Sequence, residues 1–176
     1  MTPLVIRDAV ADDAEAVAGV HVRSWQAAYE GLIDQEVLDG LSRLGTGRRV
    51  APHLRRSVAH EPRNPGRGAR RHRRRLGVVR LWSRPPDGLD DAELYGIYAD
   101  PTAWSTGAGH ALLDAAEQRM IDAGHTRAYL WVLDGNDRAD GFYARHGWEL
   151  DGATKIDQRP QFTLREHRRV KLLALR

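Results

Sequence analysis

An α/β domain with a parallel pair of strands at its centre is predicted by three segments in the second half of the sequence. Glu93-Leu94-Tyr95-Gly96-Ile97-Tyr98 alternates and is rich in aromatic residues, as a strand is. Ala108 to Ala123 carries Ala111, Leu112, Ala115, Ala116 and Met120 on one side of a helix closed by Gly124. Arg127 to Leu133 (RAYLWVL) is too apolar to face water on both sides, so it reads as a central strand. Strand, helix, strand and a further helix is the order that joins parallel strands.

The other elements follow in chain order. Leu4-Val5-Ile6 reads as a short strand, and Asp8 to Asp13 as a polar turn whose Asp12 and Asp13 suit the positive end of a helix. From Ala14, the apolar residues Val17, Ala18, Val20, Trp25, Ala28 and Tyr29 recur at helical spacing until Gly31. Asp34 is placed to cap a second helix carrying Val37, Leu38 and Leu41. Arg43 to Ala59 is also predicted helical, against the helix-weakening Gly45 and Gly47. Late in the chain, Gly135-Asn136 turns into a helix from Arg138 to Arg145, ended by Gly147. Two strands, near Trp148–Ile156 and Phe162–Leu173, complete the count.

Composition excludes several function classes. The 176 residues suffice for one domain with a full core, whereas two would each be poorly buried. The absence of cysteine removes disulfides, zinc–cysteine sites and a thiol nucleophile. No run is long and apolar enough to span a bilayer, and the N-terminus lacks a basic segment followed by an apolar one. A cytoplasmic protein without a membrane partner is therefore expected. The eight histidines show no metal-ligand spacing on a predicted helix, so no metal is expected. Asp90 and Asp91 read as loop carboxylates.

Two segments carry chemistry. From Tyr98 to Leu113 a strand leads into a glycine-containing turn that opens onto a helix. The first amides of a helix lack internal partners, and the dipole adds partial positive charge, so phosphate binds there without a basic side chain. Gly107 and Gly109 would let the backbone approach such a ligand. The same pattern also serves as a plain helix start packed by small residues. The second segment runs from Asn136 to Trp148. Asn136 stands where turn meets helix, Phe142 reads as core and Tyr143 as an amphipathic residue at its edge.

Together these segments resemble the GNAT superfamily of acetyl-coenzyme A-dependent N-acetyltransferases. The family's cofactor motif, Q/R-x-x-G-x-G/A, stands here as Trp104-Ser105-Thr106-Gly107-Ala108-Gly109. Its motif N-x-x-A-x-x-F-Y-x-x-x-G-F stands as Asn136 to Trp148, with Trp for the final Phe. Ile6-Arg7 with Asp12, Asp13 and Ala16, and Ser24-Trp25 with Ala28-Tyr29, are similar to its opening. The similarity covers residues 4–60 and 90–173 and departs at Trp104, where Gln or Arg is usual. It implies a single N-acetyltransferase domain over residues 4–174. The sheet would be mixed and mostly antiparallel, with a splayed parallel strand pair and flanking helices.

The resemblance also implies roles. Acetyl-coenzyme A would lie between the strands at Glu93–Ala99 and Arg127–Leu133, pairing with backbone groups of Ile97, Tyr98 and Ala99. A backbone N–H there would polarise the thioester. The pyrophosphate would rest on Thr106, Gly107, Ala108, Gly109 and His110, with Trp104 and Ser105 beside it, and Asn136 would bond the cofactor. Tyr143 would protonate the departing thiolate. Glu93 is the candidate to take the proton of the acceptor amine, with a solvated strand-end carboxylate as the alternative. Trp25 and Tyr29 would line the pocket for a small-molecule or peptide amine, or else belong to the core. A homodimer is allowed but not specified.

One stretch departs from this pattern. Nine of the chain's 27 Lys and Arg lie between Pro62 and Pro86, where there is no Asp or Glu. The family's two antiparallel strands would fall in the slot taken by Pro62 to Arg75, and only Leu76 to Trp82 has strand character. Three readings compete: a solvated insertion, a nucleic-acid-binding arm using Arg70, Arg71, Arg73, Arg74 and Arg75, or a local frameshift. The arm would make the protein a non-catalytic nucleic-acid-associated one, and damage here could leave an acetyltransferase that only binds cofactor. The frameshift is preferred and nucleic acid is not the expected partner. Trp has one codon, TGG, so a one-nucleotide shift at Trp82 gives Gly, and the next triplets allow Pro, then Ala or Gly. In that frame, the coding DNA for residues 62–86 is expected to encode strand-forming residues ending in Gly-Pro. Three-frame translation checks this, and frames without such residues would discard it.

Overall fold

The computed structural model describes residues 4–41, 57–62, 77–82 and 91–173. Its order begins with β1 (Leu4–Asp8), a 3-10 turn (Ala11–Asp13), α1 (Ala14–Ala28) and α2 (Gln35–Gly40). β2 (Ser57–Pro62), β3 (Gly77–Trp82) and β4 (Ala92–Ala99) follow, then a 3-10 turn (Pro101–Ala103) and α3 (Ala108–Asp122). β5 (Arg127–Leu133), α4 (Asp137–Arg145), β6 (Glu149–Gln158) and β7 (Thr163–Leu172) complete it.

The seven strands form one sheet in the order β1-β2-β3-β4-β5-β7-β6. Every neighbouring pair is antiparallel except β4 and β5. The mixed, mostly antiparallel sheet with one parallel pair and flanking helices is therefore present.

Several boundaries differ from the sequence prediction. The helix predicted over Arg43 to Ala59 does not include its last three residues, because Ser57, Val58 and Ala59 belong to β2, which runs on through His60, Glu61 and Pro62 and pairs with β1. Residues 43–56 lie outside the described residues. The two strands of the doubtful slot are both formed, but they flank the arginine run rather than fill it. β2 ends at Pro62 and β3 begins at Gly77, joined as an antiparallel pair. The run itself, 63–76, lies outside the described residues, as do 83–90. β1 extends two residues past Ile6, since Arg7 and Asp8 also pair with β2. Asp13 is held by the Arg7 guanidinium at 2.7 Å and by the Val10 amide at 2.8 Å, so it fixes the turn as well as facing the start of α1.

Burial separates two cores on the two faces of the sheet. Along β5, successive side chains alternate. Ala128, Leu130 and Val132 join Ala92 and Leu94 of β4 beneath Leu112, Leu113, Ala116 and Met120 of α3. On the other face, Leu133 meets Leu164, Ile33 and Leu38, with Trp25, Tyr29 and Phe162 packed against them. Trp148, only 1% exposed, closes the α3 side just after α4. Its indole N–H donates to Glu117 at 2.9 Å, and the Lys171 ammonium reaches both oxygens of that carboxylate at 2.7 Å. The triad ties α3, the end of α4 and β7 together. Glu117→Ala is expected to destabilise the fold by about 3 kcal/mol, because a largely buried ammonium and indole N–H lose their acceptor. Urea unfolding of the two proteins measures the difference.

Candidate active site

The parallel strands stay together only briefly. β4 and β5 pair at Ala92↔Ala128 and Glu93↔Tyr129 and then part. Against β3, the register jumps between Arg80↔Gly96 and Leu81↔Leu94, leaving Tyr95 as an extra residue in β4. Such a bulge bends its strand and raises its twist. The opening is a cavity of about 360 Å³, walled by both strands, by α1, and by the N-terminal ends of α3 and α4.

At one end lies the turn into α3. Asp100 anchors it, accepting from the Thr102 amide at 3.0 Å and hydroxyl at 2.6 Å and from Arg23 at 2.9 Å. Burial alone would raise the Asp100 pKa, but these donors outweigh it and lower it. The Trp104 indole N–H donates to the Ala99 carbonyl at 2.9 Å, tying the turn to the end of β4. Ser105 (φ 60°) and Gly107 (φ 88°) are both left-handed, a conformation Gly107 adopts without the strain a side chain would bring. The amides of Ala108, Gly109 and His110 are the first of the helix and have no carbonyl a turn earlier to bond. A Cβ at Gly109 would sit 3.5 Å from the Phe142 ring, an ordinary van der Waals contact, so α3 and α4 lie close together here without the spacing demanding glycine.

Of the predicted phosphate residues, Trp104, Ser105, Gly107, Gly109 and His110 line the cavity. Thr106 and Ala108 have their side chains elsewhere. The Thr106 hydroxyl donates to the Ala103 carbonyl at 2.7 Å, and Ala108 is buried. These two residues can offer a ligand only their backbone.

The α4 segment sits where the α3-side core meets the cavity. Tyr143, predicted at the edge of the core, is only 7% exposed, packs with Trp148 in the α3-side core and also lines the cavity. Phe142, predicted as core, is partly buried against the same core and lines the cavity beside it. The helix starts at Asp137, one residue earlier than predicted. Burial pushes the Tyr143 pKa well above the ordinary tyrosine range, helped by nearby Tyr98 and opposed by a hydrogen bond with the Ile97 backbone. Asn136 caps α4, its side-chain oxygen accepting from the Ala139 amide at 3.1 Å, and it also lines the cavity. Ile97, Tyr98 and Ala99 line the wall opposite.

The far end of the cavity is aromatic and charged. Glu93 is only 8% exposed and accepts from the Tyr129 hydroxyl at 3.3 Å, so it is no solvated strand end. Trp25 and Tyr29, edge-to-face at 4.8 Å, both pack on the second core and line the cavity. Sequence reasoning missed Tyr95, Trp131, Lys155, Arg159 and Glu166, which complete this end. Lys155 pairs with Glu166 at 3.1 Å and lies 4.5 Å from the centre of the Trp131 ring. Trp131 had a signal, since it shares the odd-numbered face of β5 with Tyr129 and Leu133. The β6 and β7 residues had none.

A model of the acetyltransferase (GNAT) family matches residues 35–148 of the sequence. The chain belongs to that family. The acetyltransferase is 28% identical over 143 residues to the uncharacterized N-acetyltransferase YuaI of Bacillus subtilis, across 76% of this chain and 73% of that one. In structure it resembles the PaiA N-acetyltransferase of Thermoplasma acidophilum, solved with coenzyme A (TM-score 0.72, 18% identity, 97% and 99% of the two chains). It also resembles a GCN5-related N-acetyltransferase from Rhodopseudomonas palustris (TM-score 0.74, 18% identity, 98% of each chain). Among the acetyltransferase's described residues, no helix is long and apolar enough to cross a membrane. Nor does any cluster of three or more His, Asp or Glu among them have metal-binding geometry.

The α4 wall of the acetyltransferase is fastened to β7 by ions. Arg169 clasps Asp140 with two bonds of 2.7 Å, and His167 lies between Asp134 and Asp140, 2.8 Å from each. The Arg169 bonds chiefly hold Asp140 down to about 2. Burial alone would lower His167, but the two carboxylates outweigh it and raise its pKa above 6.5. The histidine thus stabilises fully below its unfolded pKa of 6.5, and this contribution is lost as pH rises through the raised folded value. The aspartate contributes above its unfolded pKa of 3.8 and loses this as pH falls toward about 2. Thermal midpoints of His167→Gln are therefore expected to fall furthest below the wild type between these limits, with the gap narrowing at alkaline pH.

Proposed function

We propose that this acetyltransferase moves the acetyl group of acetyl-coenzyme A to an amine, on a small molecule or a peptide, by direct attack. The observation that carries the reading is the parting of β4 and β5 over a cavity with an α-helix N-terminus at one end and a buried carboxylate at the other. The facing edges of two parted strands offer backbone donors and acceptors to an extended ligand, as in strand addition.

The residues present suit the donor. The left-handed turn at Ser105 and Gly107 and the first amides of α3 suit a pyrophosphate. Ile97, Tyr98 and Ala99 would pair with the amide-bearing arm, and Asn136 lies across from them on the same cavity. Acetyl-coenzyme A supplies a thioester carbonyl and a thiolate leaving group. A β4 amide freed by the splay polarises that carbonyl, the oxyanion-hole role.

The proton steps fall to two buried groups. Glu93 takes the amine proton, directly or through water, as the C–N bond forms. Tyr143 stays protonated at neutral pH because burial holds its pKa high. It donates a hydrogen bond to the sulfur as the C–S bond breaks, and the proton follows as charge builds there. Trp25 and Tyr29, with Trp131, enclose the acceptor.

Thermal unfolding tests the reading. Acetyl-coenzyme A or coenzyme A at a hundred times its dissociation constant stabilises by about 2.7 kcal/mol, raising the midpoint by roughly 5–10 °C, and ATP does not reproduce it. No rise in a cooperatively unfolding protein would remove the reading. Tyr143→Phe is expected to lower kcat for thiol release about 100-fold with little change in KM. A wild type that binds cofactor but releases no thiol with any amine would be a binding protein on an acetyltransferase fold.

A further inference from the structure

Arg138 stands in an electrostatically unfavourable place. Asn136 caps α4 and Asp137 opens it, so Arg138 lies in the first turn, where the helix dipole repels a cation. The arginines that fasten the neighbouring elements have carboxylates: Arg23 has Asp100 beside the Trp104 turn, and Arg169 has Asp140 on the same helix. Among the described residues none pairs with Arg138, and the nearby Asp140 is already committed to Arg169 and His167. The guanidinium instead lies 4.2 Å from the centre of the Trp104 ring, and both residues line the cavity.

Trp104 is in turn fixed by its indole bond to the Ala99 carbonyl at 2.9 Å. The ring therefore forms a rigid platform at the mouth of the phosphate turn. A planar guanidinium stacked on it keeps its N–H groups free at the edge, ready for a bidentate anion. Without an anion the arrangement stacks positive charge on a positive helix end.

We propose that Arg138, held on the Trp104 platform, binds a phosphate of the coenzyme A moiety from the α4 side of the cleft. It supplies there the charge that the side chain at position 104 does not carry. This rests on the acyl-coenzyme A reading above. The ligand chemistry is a phosphate ester or anhydride, found in coenzyme A both at the pyrophosphate and at the ribose 3′-phosphate.

Calorimetric titration with coenzyme A, which reports binding without turnover, tests it. Arg138→Ala is expected to weaken binding about 10-fold or more and to flatten its salt dependence. The unliganded thermal midpoint should stay unchanged, since the side chain is exposed. Arg138→Lys should recover only part of the affinity, because an ammonium has no planar fork to stack. A loss that persists with 3′-dephospho-coenzyme A assigns the contact to the pyrophosphate; a loss that disappears assigns it to the 3′-phosphate. Coenzyme A binding by Arg138→Ala within about two-fold of the wild type would overturn the proposal and leave the acetyltransferase reading intact. A wild type that binds no coenzyme A would overturn both.

Discussion

The parting of β4 from β5 is the constraint on which the rest of the molecule depends. A buried strand edge with unpaired N–H and C=O groups costs free energy unless something satisfies it. Here the two edges separate after Glu93 and Tyr129, so the residues beyond face a cleft instead of each other. The bulge at Tyr95 bends β4, and the other edge of each strand stays paired, to β3 and to β7. The sheet is thus continuous on either side of the gap, which lets it hold an opening without coming apart.

Each wall of the gap has its own fastening. Asp100, held by Thr102 and Arg23, sets the turn that leads into α3. Arg169 and His167 draw Asp140 onto β7 and so seat α4. Glu117, Lys171 and Trp148 join α3 to the same strand. These charges are partly buried and matched by hydrogen bonds, the condition under which such pairs hold elements in register. The other end of the cavity is built otherwise, from aromatic rings on α1 and β5 with the Lys155–Glu166 pair at its border.

Much of the fold was legible in the sequence. The strand at Glu93–Tyr98 and the helix from Ala108 were fixed by local alternation and by helical spacing, and their ends fall within a residue or two of those predicted. The glycine turn before α3 was legible because Gly107 and Gly109 stand directly before a strongly periodic helix, and Gly107 proves left-handed. Ser57–Pro62 was misread, because a short strand beside a charged run has too little pattern to outweigh the helical spacing before it. Its strand character comes from pairing with β1, fifty or more positions earlier.

By itself, the sequence determined the order of elements from Glu93 onward, the family, and the two motifs that flank the cleft. These depend on residues within a few positions of one another, so the pattern and the structure share one cause. The tertiary structure decided the rest. Glu93 is buried beside Tyr129, 36 positions later, which lies in register with it and donates to its carboxylate. Tyr143 and Phe142 both sit between the α3-side core and the cleft, with Tyr143 hydrogen-bonded to the Ile97 backbone. Trp104 gains its cation from Arg138, and the aromatic end of the cavity gathers α1, β5, β6 and β7. Such juxtapositions are set by packing between distant segments, and no local spacing encodes them.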